Sequence, residues 1–343
     1  MTDIHIINAD CRDASKHLPD ECVDLGIHDP PFGIEETTFD RHYKRDSSHV
    51  IEGYQEAPKD YDSYYQWTLE WMTEAKRVLK PHGSMYVVIG HSRVRAVLNA
   101  AAKLDLHEIN HIVWKYNFGV YTQKKFVTAH YHILYYTKTT TAKPIFNTHC
   151  RFGAQEEAYQ GGKCVYQDLE DVFTIPKRNN PGEEKNQNKL PDNLIQKLVQ
   201  YSSDPGSMVC DFFLGNFTTA YVARRLGRRV CGFELNPNAV NLHLPQIEGL
   251  TLGEGISHLR EVVNITPLRQ GEPITDEELK NIASRYATLR DNSSNKKIIS
   301  LVLQTEFQRG PFAIKNILDR LKIEGLTKTA PTDDLIMGLF GDT

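Results

Sequence analysis

Short runs rich in β-branched and aromatic residues alternate with helical patterns as far as Glu234, and this alternation limits the fold more than anything else in the chain. The runs are Ile4–Ala9, Val23–His28, Ser84–Ile89, Glu108–Tyr116, His130–Thr137, Met208–Phe212 and Arg229–Glu234. Strands separated by helices build a parallel sheet with helices on its faces, so the class is α/β. No helix-length segment separates Glu108–Tyr116 from His130–Thr137, so these two pair antiparallel at one sheet edge. Tyr64, Trp67, Trp71, Ala75 and Val78 mark one apolar helical stripe, capped by Asp62 and stopped at Lys80-Pro81-His82-Gly83. Its tryptophans read as core. A further helix follows Ser92 (Val94, Val97, Leu98, Ala101), Asp192 can cap the next (Leu194, Ile195, Leu198), and another runs from Thr218 to Leu226 and ends at Gly227.

Two polar stretches interrupt the alternation. Residues 33–62 are rich in Asp, Lys, His and Ser, and residues 139–190 hold Gly161-Gly162 and the run Pro181 to Asn186. Loops this long in a compact domain are usually functional or disordered. Beyond about residue 250 the pattern changes to helices at Thr275–Leu289, Ile298–Phe307 and, after Gly310-Pro311, Phe312–Leu321. This region, 251–343, reads as helix-turn-helix-like or as a plain helical cap.

Composition excludes some classes. No apolar run is long enough to span a bilayer, and no N-terminal signal pattern is present. Six scattered cysteines without a Cys-x-x-Cys pair suggest a reducing, cytoplasmic setting. His107 and His111 lack an acidic helix motif, so no metal site is expected. The net charge of −4 is no general attraction for polyanions. Basic residues nevertheless cluster at Arg41, Lys44 and Arg45; at Lys124 and Lys125; at Lys177 and Arg178; at Arg224, Arg225, Arg228 and Arg229; and at Lys296 and Lys297. Two or three of these clusters are expected to touch a phosphate backbone.

The candidate chemistry sits where the run Val23–His28 ends, in Asp29-Pro30-Pro31-Phe32. The amino group of a nucleobase is a poor nucleophile, because its lone pair is delocalised into the ring. A carboxylate and a carbonyl that both accept its N–H groups can pull the nitrogen toward tetrahedral geometry. Asp29 supplies the first and Pro30 the second, while Pro30 and Pro31 bring no competing N–H and fix φ. Phe32 offers a face for an extruded base. An ordinary turn after a strand is the plain alternative.

A second constellation runs from Met208 through Asp211 and Gly215 to Thr218 and Thr219, a strand turning into a helix. Amides at such a helix start can face an anionic group. The next strand ends in Glu234, about twenty residues on, where an acid accepts bonds from ribose hydroxyls. Asn216 and Phe217 replace the glycines a dinucleotide would need, so S-adenosylmethionine suits this half better.

Taken together, the chain resembles the DNA amino-methyltransferases whose catalytic tetrapeptide precedes the cofactor loop, the beta order. The resemblance rests on Asn8-Ala9-Asp10-Cys11, Asp29–Phe32, Leu79–Ser84, Ile112–Lys115, His130–Leu134, Lys189-Leu190-Pro191, the Gly215 loop and Leu226 through Pro237. It implies a Rossmann-like methyltransferase fold for residues 1–250, with seven mostly parallel strands and the antiparallel hairpin at an edge. It implies S-adenosylmethionine as cofactor, with Asp10 toward the adenine, Glu234 on the ribose, and Asp211, Gly215, Thr218 and Thr219 at the methionine end. The implied substrate is double-stranded DNA, methylated at adenine N6 or, alternatively, at cytosine N4. RNA, or binding without turnover, are further alternatives. Residues 33–62 would then close over the substrate and 139–190 would read the target, with the C-terminal helices as a second candidate. Such enzymes are often homodimers and often have a cognate restriction endonuclease, so both are candidate partners. Three departures stand out. Phe217 occupies the third position of a loop that commonly reads Gly-Ser-Gly-Thr-Thr, and is expected to narrow the space at the methionine end. Asn186-Gln187 replaces His-Pro, and Tyr131 stands where an acid is usual.

Overall fold

Val23–His28 is buried along its whole length because strands lie on both sides of it and helices cover both faces. The computed structural model describes residues 3–33, 57–117, 119, 123–148, 169–176, 189–255, 269, 271–292 and 296–323. Most of the 33–62 loop, most of the 139–190 insertion, and the Asn186-Gln187 pair lie outside the described residues.

The elements are β1 (Ile4–Ile7), α1 (Cys11–Ala14), β2 (Val23–His28), α2 (Tyr61–Val78), β3 (Leu79–Ile89), α3 (Val94–Lys103), β4 (His107–Lys115), β5 (His130–Thr137), β6 (Val172–Thr174), α4 (Asp192–Ser202), β7 (Met208–Asp211), α5 (Thr218–Arg225), β8 (Arg229–Phe233) and α6 (Pro237–Glu248). Helices α7 (Asp276–Asn292), α8 (Lys296–Phe307) and α9 (Pro311–Ile323) follow. The strands form one sheet in the order β1-β8-β7-β2-β3-β5-β4-β6. Only β5 runs against its neighbours among the described strands. Helices α4, α5 and α6 cover one face, where Leu25, Ile27 and Val209 meet Leu194, Leu198 and Ala223. On the other face Val87, Ile89 and Leu134 meet Trp71 and Ala75 of α2 and Val97 of α3.

The α/β class and the β4–β5 hairpin are as the sequence predicts. The strand count is not: eight strands are described, not seven. The extra one, β6, lies inside the 139–190 insertion and pairs parallel with β4, so the hairpin is not outermost. At three residues β6 is too short to carry a periodic signal. The Lys80–Gly83 stretch follows directly on the end of α2, as expected. It belongs to β3, whose pairing with β2 shifts register between Val23 and Leu25. Asp60, not Asp62, caps α2, its carboxylate accepting the Ser63 amide at 2.9 Å. Arg93 stands at the cap of α3. Asp192 is the first residue of α4, with Pro191 at the cap.

The C-terminal helices share their own core of Leu279, Ile282, Leu289, Ile298, Val302 and Ile314. A three-residue turn with Gln308 at φ 53° joins α8 to α9. The unit is fastened to the beginnings of the strands. Arg285 on α7 binds Asp3, just ahead of β1, and Glu306 on α8. Arg224, 3% exposed, also pairs with Asp3, and Glu306 reaches Arg229 at the start of β8. This is the end of the sheet opposite to Asp29 and Gly215. It also gives the Arg224–Arg229 cluster a structural role in place of phosphate contact. Arg228 is 2% exposed and donates to the Ser203 and Leu226 carbonyls. Exposed Arg225 pairs with Glu254.

Candidate active site

Strands β2 and β7 lie side by side, paired at Leu25 with Val209 and Gly26 with Cys210. The chain leaves β7 toward β8 and leaves β2 toward β3, in opposite directions along the sheet. This is a topological switch point, and ligands of open α/β sheets bind in the crevice at the carboxyl ends of such strands. Across the adjacent strands β1, β8, β7 and β2, four acids stand at or just past the carboxyl ends: Asp10, Glu234, Asp211 and Asp29. About 180 positions separate Asp29 from Asp211 in sequence, yet neighbouring strands bring them to one crevice.

The tetrapeptide is held by its backbone. Asp29 is half-buried and Pro30 buried. The Tyr64 hydroxyl, on α2, donates to the Pro31 carbonyl at 3.0 Å. Arg93 donates from Nε to the Phe32 carbonyl at 2.8 Å and from Nη2 to the Gly33 carbonyl at 3.1 Å, and it reaches the Lys59 carbonyl as well. Its guanidinium lies over the Tyr64 ring, 4.6 Å from the centroid. Tyr64 is fully buried, and burial pushes its ionisation up; the Arg93 charge opposes this and the Asp29 charge adds to it. The Phe32 ring meets Tyr131 edge-on at 5.6 Å, and Tyr131 packs on Tyr116 at 5.2 Å. Gly90 makes this possible, since a Cβ there would lie 3.1 Å from the Phe32 ring. At the position where an acid is usual, this chain has an aromatic wall.

The second loop is bonded internally before any ligand arrives. The Asp211 carboxylate accepts the Phe213 amide at 2.9 Å, and Thr219 bonds to it as well. Burial raises the Asp211 pKa to about 7, against these two hydrogen bonds, and the Glu234 charge raises it further. Glu234 accepts the Gly215 amide and the Asn236 amide, each at 2.8 Å, one on each oxygen. Gly215 has φ 50°, and a Cβ built there would meet only the Phe213 carbonyl, at 3.8 Å. Thr218 and Thr219 open α5 and are buried. Asp10 caps α1 and is held by Arg12, whose amide is 2.8 Å away and whose Nη2 is 2.7 Å away. The Arg12 hydrogen bond, with its charge, keeps the Asp10 carboxyl below its ordinary range against the effect of burial.

Phe217 does not narrow the crevice as expected. Its ring is fully buried in the core under α5 and lies 4.9 Å from the His243 ring. Its backbone sits in the left-handed region, φ 59° and ψ 20°, a conformation that suits glycine at this loop position. Tyr64 and Arg93 were not visible as site residues in the sequence. Tyr64 reads only as part of an apolar stripe. Arg93 follows closely on the end of β3, the strand next to β2, and that position is the signal that could have found it.

The chain is 30% identical over 248 residues to type II methyltransferase M.BamHI of Bacillus amyloliquefaciens, covering 67% of this chain and 54% of that one. It therefore spans about half the length of that relative. It is 26% identical over 264 residues to type II methyltransferase M.BglII of Bacillus subtilis, covering 71% and 69%. Among solved structures it shares its fold with TTHA0409 of Thermus thermophilus, determined in complex with S-adenosyl-L-methionine (TM-score 0.51, 21% identity, 71% of this chain and 92% of that one). It shares it too with the cytosine-N4-specific PvuII DNA methyltransferase (TM-score 0.52, 15% identity, 75% and 91%). The N6_N4_Mtase model, described as DNA methylase, matches residues 23–244, a span that takes in both the Asp29 tetrapeptide and the Gly215 loop. The chain belongs to this family of DNA methylases.

Proposed function

We propose that this protein methylates an exocyclic amino nitrogen of a base in double-stranded DNA, with S-adenosylmethionine as methyl donor. The observation that carries the reading is the shared crevice: Asp29 follows β2 and the Gly215 loop follows β7, its immediate neighbour. The loop residues fit the cofactor. Gly215 leaves open space, the Phe217 ring is withdrawn into the core, and the Glu234 carboxylate is fixed by two amides. Glu234 would hold the ribose, Asp10 the adenine end, and Asp211, Gly215, Thr218 and Thr219 the methionine end. When bound, the cofactor supplies a methyl group on a positively charged sulfur.

The chain's own residues do the rest. The Asp29 carboxylate and the Pro30 carbonyl accept the two amino N–H bonds and turn the nitrogen lone pair outward. Phe32 and Tyr131 give the extruded base an apolar wall, which offsets the few kcal/mol of unstacking. Tyr64 and Arg93 fix the carbonyls on either side of Phe32, so the tetrapeptide is in place before the base arrives. Most of the acceleration then comes from positioning. The methylated nitrogen is acidic enough to lose its proton without a dedicated strong base. Asp at the first position of the tetrapeptide favours adenine N6 over cytosine N4.

The test is transfer of tritium from labelled S-adenosylmethionine to unmethylated genomic DNA, followed by digestion and mass spectrometry of the nucleosides. N6-methyldeoxyadenosine is the expected product, and N4-methyldeoxycytidine would establish the alternative. Asp29→Ala should lose transfer while its cofactor affinity stays within about threefold of wild type. No label on DNA, whether or not RNA offered in parallel is labelled, or an Asp29→Ala variant of near-normal rate would refute the reading.

A further inference from the structure

We propose that His28 is a positioning residue that sets the spacing between the strand end bearing Asp29 and the strand end bearing the Gly215 loop. The proposal rests on the functional reading above. Backbone pairing of β2 with β7 stops at Gly26 and Cys210, because the strands part at the switch point. Beyond that point a side chain continues the ladder. His28 Nδ1 accepts the Phe212 amide at 3.2 Å. His28 immediately precedes Asp29, and Phe212 immediately follows Asp211. The bond therefore ties the acceptor side of the crevice to the donor side at the residues next to each.

The surroundings are shaped for this ring. His28 is 2% exposed and lies edge-on to Phe212 at 5.0 Å and to Trp71 at 5.6 Å. Gly26, two residues earlier on the same face of β2, leaves it room, for a Cβ there would lie 2.7 Å from His28 Nε2. Burial holds the His28 pKa down to about 3, so the ring stays neutral and Nδ1 keeps its acceptor lone pair. A central parallel strand is ordinarily filled by Val, Ile or Leu. An imidazole and a glycine in that place give up apolar burial for one directed bond. A misplacement of about 1 Å between reacting groups can cost about a hundredfold in rate, which is the scale of effect such a bond can control.

The test uses the full-length protein, tritiated S-adenosylmethionine and unmethylated genomic DNA. His28→Leu removes the acceptor and should lower kcat at least about tenfold, with KM values for cofactor and DNA within about threefold of wild type. His28→Asn places Oδ1 where Nδ1 was and should keep kcat within about threefold, even where its melting temperature falls. Gly26→Ala should slow turnover by pushing the ring aside, and Gly26→Ala combined with His28→Asn, where no Nε2 remains to clash, should restore it. In the unliganded protein, ¹⁵N-histidine spectra, assigned by difference from His28→Asn, should show an unprotonated, hydrogen-bonded Nδ1 that does not titrate between about pH 5 and pH 8. Normal kcat in His28→Leu, equal losses in the Leu and Asn variants, or a titrating His28 would overturn the proposal. If Asp29→Ala still abolishes wild-type transfer while His28→Leu is fully active, the role of His28 falls and the function stands. If wild type transfers no label to DNA, both fall.

Discussion

Arg93 donates to the carbonyl of Phe32 at 2.8 Å, so a cation from the start of α3 fixes the backbone of the candidate catalytic tetrapeptide. Arg93→Met keeps an unbranched apolar stem and removes every side-chain donor. Hydrogen bonds from a charged donor contribute about 1.5–3 kcal/mol each, and a loosened tetrapeptide loses alignment as well as stability. We expect a fall in transfer rate of about a hundredfold, a lowered melting temperature and little change in cofactor affinity. Tyr64→Phe, which loses one hydrogen bond, should destabilise by about 1 kcal/mol and slow transfer less. Calorimetric binding, thermal melting and initial rates on the same preparations check all three.

Asp211 makes stability depend on pH in an unusual direction. Its pKa is raised from 3.8 to about 7, so between these values the folded chain keeps a proton that the unfolded chain has lost. Stability from this group is full below 3.8 and is lost as pH rises to about 7. The slope is at most about 1.4 kcal/mol per pH unit. Asp211→Asn removes the titration, so the variant should gain on wild type as pH rises from about 5 to about 7. Denaturant unfolding of both unliganded proteins across that range measures it. A constant difference between them would contradict the expectation.

Phe217→Gly separates two readings of the loop. Glycine relieves about 1 kcal/mol of left-handed strain but gives up a fully buried ring, a loss of the kind that costs about 3–5 kcal/mol. The net expectation is a variant less stable by about 2–4 kcal/mol whose cofactor affinity is nearly unchanged. Tighter cofactor binding with unchanged stability would mean that the ring does intrude on the crevice.

Asp3 faces two guanidiniums, those of Arg224 and Arg285, both largely buried. Asp3→Ala leaves them with less compensation, a change that typically costs about 3–5 kcal/mol. The melting temperature should fall clearly, while the turnover of protein still folded should stay normal, because Asp3 lies at the far end of the sheet from the crevice. An equal loss of specific activity at low temperature would show the two ends to be coupled.

The sheet was legible where apolar runs end abruptly. Val23–His28 and His130–Thr137 have the same limits in sequence and structure, because Asp29-Pro30 and Lys138-Thr139 break the pattern sharply. Helix α6 is not legible because Pro245 and its polar neighbours mask the stripe, although Asn236-Pro237 is a strong start signal and caps it as such signals do. Asp60 and Asp62 flank Tyr61 and are equally good caps on paper; the tertiary path of the chain into α2 chose the first. The four acids at adjacent strand ends were all candidates in the sequence. What held them was not legible. Arg93 and Tyr64 act on carbonyls 61 and 33 positions away, and His28 on an amide 184 away. Contacts of that range carry no local pattern.

Because α7, α8 and α9 are fastened beneath the strand beginnings, a large molecule held on their outer surface would not compete for space with a ligand in the crevice at the strand ends.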